Sequence, residues 1–503
     1  MFDSLLNNRY SILYFYPFLL GCLSVLSFQP FNFTIVNFFI LPLFFYIIIF
    51  IKKKSKSTYR IKPFKKNLFI AGSSFGFGFY LSGIHWIINS LTFDDSFTIL
   101  IPIGLILIPL FLSLFFSLVL VIVGPFLKIN FISIILFSGA LAFSDYLRSN
   151  LLTGFPWNLW AYSFSSSTEI IQILNKLGLF TFNLLSITIF MLPALLFIKS
   201  NLTNKLLLLI LISLILFSSY IYGNYSINKN KTYLDTFSEK QHVKVVSPNF
   251  DIKYNLNETE IENRLKKLIR YSDPEKDIKT LFVWPEGAFS GYSFEEIIFL
   301  RKIFFDNFTK DHLILFGINR YDLEKKGYYN SLVIIDHNMN ILEEYKKQKL
   351  VPFGEFLPFE KILEKLGIKK ITEGYGSFLQ GKNQQNLVIG KLNILPLICY
   401  EIIFTKFIQK SNPNTNLIIN ISEDAWFGNS IGPYQHFING VYRAIEKNSF
   451  LIRSTNKGVS VIINNKGEII KKLNPNETGN LEFRVPLIKE DNKNKNDLIF
   501  FVL

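Results

Sequence analysis

Cysteine is almost absent from this sequence: only Cys22 and Cys399 carry a thiol among 503 residues. Two thiols in different halves of a long chain exclude a disulfide framework as the organising device. The five histidines are scattered without the spacing of metal ligands, and the sequence has no Gly-rich phosphate loop of the Walker type. We therefore expect neither a metal nor another cofactor. Charged residues are also scarce, at 18%, which is too few for an ordinary soluble protein.

Apolar residues, by contrast, make up 50% of the chain, and nearly all of the long apolar runs lie before about residue 222. This distribution predicts a membrane half followed by a water-soluble half. The net charge is +15, and its densest cluster, residues 52–66, lies between two apolar runs. Such a cluster is typical of a membrane-topology signal, so we expect no nucleic-acid partner.

Seven stretches of the membrane half, residues 1–222, are long and apolar enough to span a bilayer. They cover approximately residues 10–28, 33–51, 68–89, 98–123, 130–147, 172–198 and 205–222. The lysine-rich second loop contains no acidic residue, so the positive-inside rule places it in the cytoplasm. Seven spans then put the amino terminus inside and everything after about residue 223 outside, which is the periplasm in a Gram-negative bacterium.

The fifth loop is rich in aromatic residues, among them Trp157, and it follows Arg148. One interpretation is an ordinary aromatic belt, because Trp and Tyr favour the membrane–water boundary. The other is a re-entrant, lipid-facing rim near an active site, in which the Arg148 guanidinium would hold a phosphate. Both interpretations stay open at this stage.

Residues 223–242 are polar and poor in Pro and Gly, and we interpret them as a weakly ordered linker. Short apolar runs of strand type follow, with helical patterns such as residues 258–270 and 434–447 between several of them. Strands that alternate with helices predict a layered α/β domain over residues 243–488. The predicted strands are residues 243–246, 280–284, 313–317, 332–335, 394–398, 417–421, 450–453 and 459–463.

Three kinds of reactive side chain follow these strands. Glu286 comes just after residues 280–284, Cys399 comes directly after residues 394–398, and the segment 345–355 carries several lysines and Glu355. Carboxylate, ammonium and thiol are the groups that acyl transfer needs as proton acceptor, oxyanion-stabilising cation and nucleophile. The alternative for Cys399 is a buried, inert thiol, because free cysteine is among the most buried residue types.

The order Glu, Lys, Cys on an α/β domain resembles the nitrilase superfamily, and together with the membrane half the chain resembles the apolipoprotein N-acyltransferase family. The resemblance covers nearly the whole chain. It rests on six motifs in order: Gly154-Phe155-Pro156-Trp157, Trp284-Pro285-Glu286, Leu350-Val351-Pro352-Phe353-Gly354-Glu355, Ile398-Cys399-Tyr400-Glu401, Asp424-Ala425-Trp426-Phe427-Gly428, and the stretch from Gly432 to Arg453. It implies a polytopic α-helical membrane domain joined to an α/β nitrilase-like domain, an α-β-β-α sandwich.

The resemblance also implies a role for each residue that matches a motif. Glu286 fits the general base, Lys347 the catalytic lysine and Cys399 the nucleophile. Lys346 and Lys349 are the alternatives for the lysine. The supporting positions are Glu355, Tyr400 and Glu401, and the substrate-binding positions are Arg148, Trp157, Tyr254 and Trp426.

The reaction implied by the resemblance moves a fatty acyl chain from a phospholipid to Cys399 as a thioester. The chain then passes to the α-amine of the diacylglyceryl-modified cysteine at the amino terminus of an apolipoprotein. The resemblance places such an enzyme in the bacterial inner membrane as a multi-pass protein, with its catalytic domain in the periplasm.

Three features depart from the family pattern. Tyr254 stands where a tryptophan is usual, in a loop that is short, and Glu423 stands where an asparagine is usual. We expect substrate contacts at the first position and hydrogen bonding at the second to differ. Residues 489–503 contain too few apolar residues for the eighth spanning helix that normally closes the family's chain, so we expect that helix to be lost or the chain to be truncated.

Two other functions stay open. A membrane-tethered amidase or nitrilase would use the same three residues on small amides, although a soluble substrate needs neither the aromatic loop nor a large membrane half. A non-catalytic transporter or scaffold with a vestigial domain would carry intramembrane charges along a transport path, and such charges are scarce here.

Overall fold

The computed structural model describes residues 8–55, 62–197, 202–253, 255–358, 360, 376–382, 386–488 and 500. These residues form two compact units that divide between Ser226 and Ile227, and Phe500 belongs to the first. The predicted C-terminal tail, residues 489–503, lies outside the described residues except for Phe500, whose ring packs against Tyr146 and Phe180.

The first unit is helical in its described part. Its helices, several of them extended by 3₁₀ turns, are α1 Tyr16–Ser24, α2 Asn37–Ser55, α3 Lys62–Ile84, α4 Ile101–Val123, α5 Phe131–Asn150, α6 Leu174–Leu177, α7 Leu179–Met191 and α8 Leu202–Asp235. Helices α1 and α3 pack closely through glycines. A Cβ atom added to Gly21 would lie 2.1 Å from the carbonyl oxygen of Phe75, and one added to Gly78 would lie 2.2 Å from that of Phe18. Small residues permit such close approach between membrane helices.

Five described stretches are long and apolar enough to cross a membrane, and they coincide with five of the seven predicted spans. They are Thr34–Lys54, Asp95–Phe126, Phe131–Asn150, Leu179–Phe197 and Thr203–Asp235. The other two predicted spans fall on the shorter apolar helix Ser11–Ser27 and on α3. The multi-pass character of the first unit thus has direct support, and the number of seven crossings stays a prediction.

The sixth predicted span begins later than expected, and the linker is not weakly ordered. Gly178 has a φ of 78°, a left-handed conformation that ends α6 before α7 begins, so the apolar run from 172 is not one helix. The predicted linker, residues 223–242, is occupied by the last turns of α8 and the first residues of strand β1, Lys240–Ser247. Its final turns are held within the second unit, because Asn230 Nδ2 donates to Asn465 Oδ1 at 2.9 Å.

The second unit contains two six-stranded mixed sheets. The first has the order β12-β1-β2-β3-β4-β5 and the second the order β11-β10-β9-β8-β7-β6. After β1, the strands are β2 Thr280–Val283, β3 His312–Asp322, β4 Gly327–Ile335, β5 Ile341–Lys346, β6 Leu387–Ile389, β7 Leu392–Ile398, β8 Leu417–Glu423, β9 Phe450–Asn456, β10 Ser460–Ile463, β11 Ile469–Leu473 and β12 Gly479–Pro486. In the centre of each sheet three strands run parallel, β1 to β3 and β7 to β9.

The sheets face each other across a core to which both contribute, with Val245, Leu281 and Leu332 from the first and Ile394, Ile419 and Ile452 from the second. Helices α9 Glu258–Ser272 and α10 Arg301–Asn307 pack a second core onto the outer face of the first sheet. Helices α11 Thr405–Lys410 and α12 Gly432–Lys447 follow β7 and β8, and α12 packs on β9, where Gly440 faces Leu451. The structure therefore confirms the predicted α-β-β-α sandwich. All eight predicted strands are present, and β5, β6, β11 and β12 were not predicted.

Candidate active site

Cys399 lies on a sharp turn at the carboxyl end of the buried strand β7. The residue is half-buried and has a φ of 49°, a left-handed conformation that costs a residue with a side chain of order 1–3 kcal/mol. Cys399 is also the first residue of a 3₁₀ turn, Cys399–Ile403. The backbone N–H of Ile398 donates to Glu401 Oε2 at 2.8 Å, which fastens the turn from within. Cys399 is therefore held at a strand end, where it also packs against the edge of the core between the two sheets.

Lys347 lies immediately after β5 and meets two carboxylates. Its Nζ is 2.8 Å from Glu355 Oε1 and 3.5 Å from Glu286 Oε1, and the lysine side chain is only 1% exposed. Asn330 joins the same cluster from β4, because its Nδ2 donates to Glu286 Oε1 at 2.7 Å and to Glu355 Oε1 at 2.8 Å. Glu355 Oε2 also accepts from the backbone N–H of Val351 at 2.8 Å. These bonds fix the ammonium and both acids in one arrangement.

Glu401 connects the cysteine turn with the lysine segment. Besides accepting from Ile398, its carboxylate accepts from the Tyr345 hydroxyl at 2.9 Å. It also accepts from the backbone N–H groups of Gln348 at 2.7 Å and Lys349 at 3.0 Å. Burial raises the pKa of Glu401 to about 7, although these donors act against the rise. A single fully buried side chain thus sets the position of Lys347 relative to Cys399.

Charge is unevenly distributed around the thiol. Burial, and next the Glu286 carboxylate, raise the pKa of the Cys399 thiol, while the Lys347 ammonium acts to lower it. Burial alone would lower the pKa of Lys347, but Glu286 and Glu355 outweigh it and raise that pKa, so the lysine stays an ammonium. At neutral pH the site therefore combines a protonated thiol, a permanent cation and a carboxylate that can accept a proton.

Another acid, Glu423, is the last residue of β8 and lies beside Glu286. The backbone N–H of Glu423 donates to Glu286 Oε2 at 2.9 Å, which orients the oxygen that does not face Lys347. The Glu423 side chain accepts from Asn456 Nδ2 at 2.9 and 3.0 Å and from the backbone N–H of Ala425 at 3.2 Å. Burial raises the pKa of Glu423 to about 8. The departure from asparagine at this position thus places an additional, largely protonated acid behind Glu286.

The arrangement can perform nucleophilic acyl chemistry. Glu286 can take the thiol proton, Cys399 can attack a carbonyl, and the Lys347 ammonium can stabilise the oxyanion that forms. Among the alternative lysines, Nζ of Lys346 lies 4.4 Å from the centre of the Tyr329 ring and Nζ of Lys349 lies 5.0 Å from that of Phe404. Among the described contacts, both ammonium groups therefore meet aromatic rings and not the carboxylates of Glu286 and Glu355.

Two predicted substrate-binding residues lie in the first unit. Arg148, at the end of α5, is 2% exposed, and its guanidinium donates to Asp145 Oδ1 at 2.9 Å and to the carbonyl oxygens of Phe155 and Trp157. Trp157 is 2% exposed and packs on Trp86 with ring centres 4.9 Å apart. The aromatic loop is thus buried in protein at these positions rather than facing lipid. The phosphate-binding role of Arg148 stays a prediction.

The remaining predicted residues belong to the second unit. Tyr400 is half-buried beside the cysteine, and its ring meets Phe404 edge-on at 5.0 Å. Trp426 is half-buried in the turn that follows β8. Tyr254 lies outside the described residues. Their part in substrate binding stays a prediction.

Sequence reasoning missed Asn330. Together with Ser331 it interrupts a strand of aromatic and apolar residues, and that interruption was a signal that could have identified it. Its alignment with Lys347 depends on the pairing of β4 with β5, in which Ser331 faces Lys346. Register between strands cannot be read from either strand alone.

Comparison with known proteins relates both units to described families. Residues 20–195 match the family described as apolipoprotein N-acyltransferase N-terminal domain, and residues 257–488 match the carbon-nitrogen hydrolase family. A protein of Rhodopseudomonas palustris named apolipoprotein N-acyltransferase is 31% identical over 483 residues, which cover 93% of this chain and 88% of that protein. Proteins of the same name from Rickettsia typhi and Rickettsia prowazekii are each 35% identical, and each alignment covers 93% of this chain and 91% of the relative.

Proposed function

Because the chain belongs to the apolipoprotein N-acyltransferase family, we propose that it moves a fatty acyl chain from a phospholipid, through a thioester on Cys399, to an apolipoprotein. The acceptor is the α-amino group of the diacylglyceryl-modified cysteine at the amino terminus. The observation that carries this proposal is the meeting of Glu286, Glu355 and the Lys347 ammonium, with Glu286 and Lys347 acting electrostatically on the Cys399 thiol.

In the first half-reaction Glu286 accepts the thiol proton while the sulfur attacks the ester carbonyl of the phospholipid. The new S–C bond produces a tetrahedral oxyanion, which the Lys347 ammonium stabilises. The C–O ester bond then breaks, and Glu286 returns its proton to the oxygen of the departing lysophospholipid. The products are a lysophospholipid and an acyl thioester on Cys399.

In the second half-reaction the neutral α-amine of the apolipoprotein attacks the thioester. Glu286 removes a proton from the attacking nitrogen, Lys347 again stabilises the oxyanion, and the C–S bond breaks. The proton held by Glu286 passes to the departing sulfur, which regenerates the thiol and leaves an amide on the acceptor. Because the thioester stores the acyl chain, the two lipid substrates need not be bound together.

Other residues of the site support these steps. Glu355 and Asn330 hold Lys347 and Glu286 at their distances, and Glu401 holds the lysine segment against the cysteine turn. Tyr400 in the cysteine turn and Trp426 in the turn after β8 are both half-buried, and they are the described candidates in the second unit for contact with the acyl chain. Arg148 and Trp157 are the candidates in the first unit.

We further propose that the protein resides in the bacterial inner membrane with its second unit in the periplasm. The lysine-rich segment 52–66, between the second and third predicted spans, is the support for this orientation, because the cytoplasmic loops of membrane proteins carry an excess of Lys and Arg. Mature lipoprotein amino termini lie on the same outer surface of that membrane.

The test is a transfer assay with purified full-length protein in detergent. A phospholipid with a labelled acyl chain and a diacylglyceryl-modified peptide with a free amino terminus are the substrates, and mass spectrometry detects the N-acylated peptide. We expect product with the native protein and none with Cys399→Ala or Glu286→Gln. A matched control is Glu343→Gln, a half-buried glutamate of β5, which we expect to keep native activity.

Two results would contradict the proposal. Hydrolysis of small amides without transfer from phospholipid would support a membrane-tethered amidase instead. Full transfer activity in the Cys399→Ala variant would remove the thioester from the mechanism and leave a scaffold role for the second unit.

A further inference from the structure

The segment that leads into α1 forms a groove with α3 inside the first unit. The groove has a volume of about 470 Å³, with Tyr10, Tyr14 and Phe18 on one side and Ser74 and Phe77 on the other. Sites for small molecules have volumes of about 300–1,000 Å³, so this groove can hold part of one. Its lining is mostly aromatic, which suits an apolar ligand.

One side of the groove is built on an unusual turn. Residues Ser11–Phe15 form a π-helical turn that continues directly into α1. Such turns are rare and occur frequently at functional sites. The rings of Tyr10 and Tyr14 stack along it with centres 6.3 Å apart, and they are 75% and 47% exposed. These rings therefore present a surface to the surroundings and do not fill the core of the unit.

The two sides of the groove meet at both of its ends. At the inner end the rings of Phe18 and Phe77 lie 6.1 Å apart, next to the close glycine contacts between α1 and α3. At the outer end Arg9 Nη2 donates to Asn67 Oδ1 at 3.4 Å. The two helices thus run in the same direction, and their amino-terminal ends place a cation at the mouth of an aromatic groove.

A second cation belongs to the same end. Lys66 precedes Ser74 by eight residues and Phe77 by eleven, and these spacings return to one face of an α-helix. Arg9 and Lys66 are both exposed. Residues 4–93, which include both sides of the groove, contain no Asp or Glu, so this part of the chain supplies no counter-ion.

An aromatic groove with two cations at one end matches the chemistry of a phospholipid with a net negative charge. Arg and Lys are the side chains that bind phosphate, and the groove offers an acyl chain an apolar surface. Basic pockets between membrane helices on the cytoplasmic side bind anionic headgroups. The helix α3 begins in the lysine-rich segment 52–66, which the proposed orientation places in the cytoplasm.

We propose that this groove binds one anionic phospholipid of the cytoplasmic leaflet. Its acyl chain lies along Tyr14 and Phe18, and its phosphate binds Arg9 and Lys66. Under the proposed orientation the acyl donor reacts on the periplasmic side, so the lipid in the groove is a ligand and not a substrate. A ligand that binds the folded state stabilises it, here at the packing of α1 on α3. The inference goes beyond acyl transfer and does not depend on it.

The experiment is photo-cross-linking of the full-length Cys399→Ala protein in detergent, because this substitution prevents acylation of the thiol. The probe is phosphatidylglycerol with a photoactivatable group on one acyl chain, and phosphatidylcholine with the same chain is the comparison without net charge. Mass spectrometry after peptic digestion identifies the labelled peptides. One basic residue near an anionic lipid changes affinity about fivefold, so two cations should give phosphatidylglycerol a preference of roughly 25-fold at the peptides that contain Tyr14 and Phe77.

Three variants separate the charge from the groove. Arg9→Gln combined with Lys66→Gln should reduce labelling by phosphatidylglycerol to the level of phosphatidylcholine. The matched control is Lys128→Gln, an exposed lysine between α4 and α5, which should keep the native preference. Ser74→Phe fills the groove and keeps both cations, so it should abolish labelling of these peptides by either lipid. Melting temperatures identify the variants that fold.

Thermal unfolding provides a second readout. Phosphatidylglycerol should raise the melting temperature of the Cys399→Ala protein more than phosphatidylcholine does, and the Arg9→Gln, Lys66→Gln variant should lose that difference. Equal labelling of the groove peptides by the two lipids, or a preference that survives removal of both cations, would overturn the inference. Neither readout involves acyl transfer, so a failure of the proposed function and a failure of this inference are distinguishable.

Discussion

In the first unit one buried cation, Arg148, faces one buried acid, Asp145, at 2.9 Å, and its guanidinium also contacts two carbonyl oxygens of the aromatic loop and the Tyr80 ring. In the second unit one buried cation, Lys347, faces two acids, and two more, Glu401 and Glu423, lie buried beside them. The first cluster has equal numbers of positive and negative charges. The second has an excess of acids.

This difference in charge balance indicates a structural role for the first cluster and a chemical role for the second. A buried pair of one cation and one acid serves to hold the structure together, because removing one partner is strongly destabilising. An excess of acids around one cation produces carboxyl groups whose proton affinities differ, and such groups can accept and return protons during a reaction. We therefore expect substitutions in the first cluster to act on stability and those in the second to act on rate and pH dependence.

Arg148→Met should have the largest effect on stability. The substitution leaves Asp145 buried without a cation and frees two loop carbonyl groups, and losing one partner of a buried pair costs about 3–5 kcal/mol. Thermal unfolding in detergent measures the change, with Arg148→Lys as the charge-conserving control. A native melting temperature combined with a raised KM for phospholipid would contradict this expectation and favour phosphate binding by Arg148.

Lys347→Met should abolish most activity. Loss of an oxyanion-stabilising group costs about 10²–10³-fold in kcat. The substitution removes the cation that Glu286 and Glu355 share, while Asn330 still donates to both carboxylates. Lys346→Met is the matched control, because the Lys346 ammonium lies over Tyr329. Equal losses of activity in Lys347→Met and Lys346→Met would contradict the assignment of Lys347 as the catalytic cation.

Stability should fall as pH rises because of the buried acid Glu423. Burial raises the pKa of Glu423 to about 8, so the folded protein keeps a proton that the unfolded chain releases near pH 4.5. The stability that this proton contributes is complete below about pH 4.5 and is lost as pH rises through about 8. Melting temperatures of native protein and Glu423→Gln between pH 5 and 9 measure it. Parallel curves for the two proteins would contradict the prediction.

Asn330→Ala should have the smallest effect. It removes a donor to both Glu286 and Glu355, and a hydrogen bond to a charged group contributes about 1.5–3 kcal/mol, which corresponds to roughly 10- to 100-fold in rate. Asn319→Ala, at the position that faces Asn330 across the β3–β4 hairpin, is the control. Similar transfer rates for Asn330→Ala and Asn319→Ala would mean that Asn330 does not position the Glu286 and Glu355 carboxylates.

The strands that sequence reasoning missed share one position in the fold. The eight predicted strands are the interior strands of the two sheets, and the four others, β5, β6, β11 and β12, are their four edges. An interior strand is buried on both sides and reads as a continuous apolar run. An edge strand borders solvent and contains polar residues, as β11 does with four exposed positions, so its sequence resembles a loop.

The residues of the candidate site also divide into those that could be predicted from the sequence and those that could not. Glu286, Lys347, Glu355, Cys399 and Glu401 could be predicted, because each stands in a short motif beside a strand end. Asn330 could not be assigned, because its contacts with Glu286 and Glu355 depend on how β4 packs in three dimensions. The burial of Trp157 was missed for the same reason, since its packing partner Trp86 is distant in sequence.

The most direct measurement is the mass of the peptide that contains Cys399 after the purified protein is incubated with phospholipid alone. The account predicts a fatty acyl group on this peptide that hydroxylamine releases, that is absent from Lys347→Met, and that disappears when the diacylglyceryl peptide is added. An unmodified Cys399 in a preparation that nonetheless acylates the peptide would contradict the account.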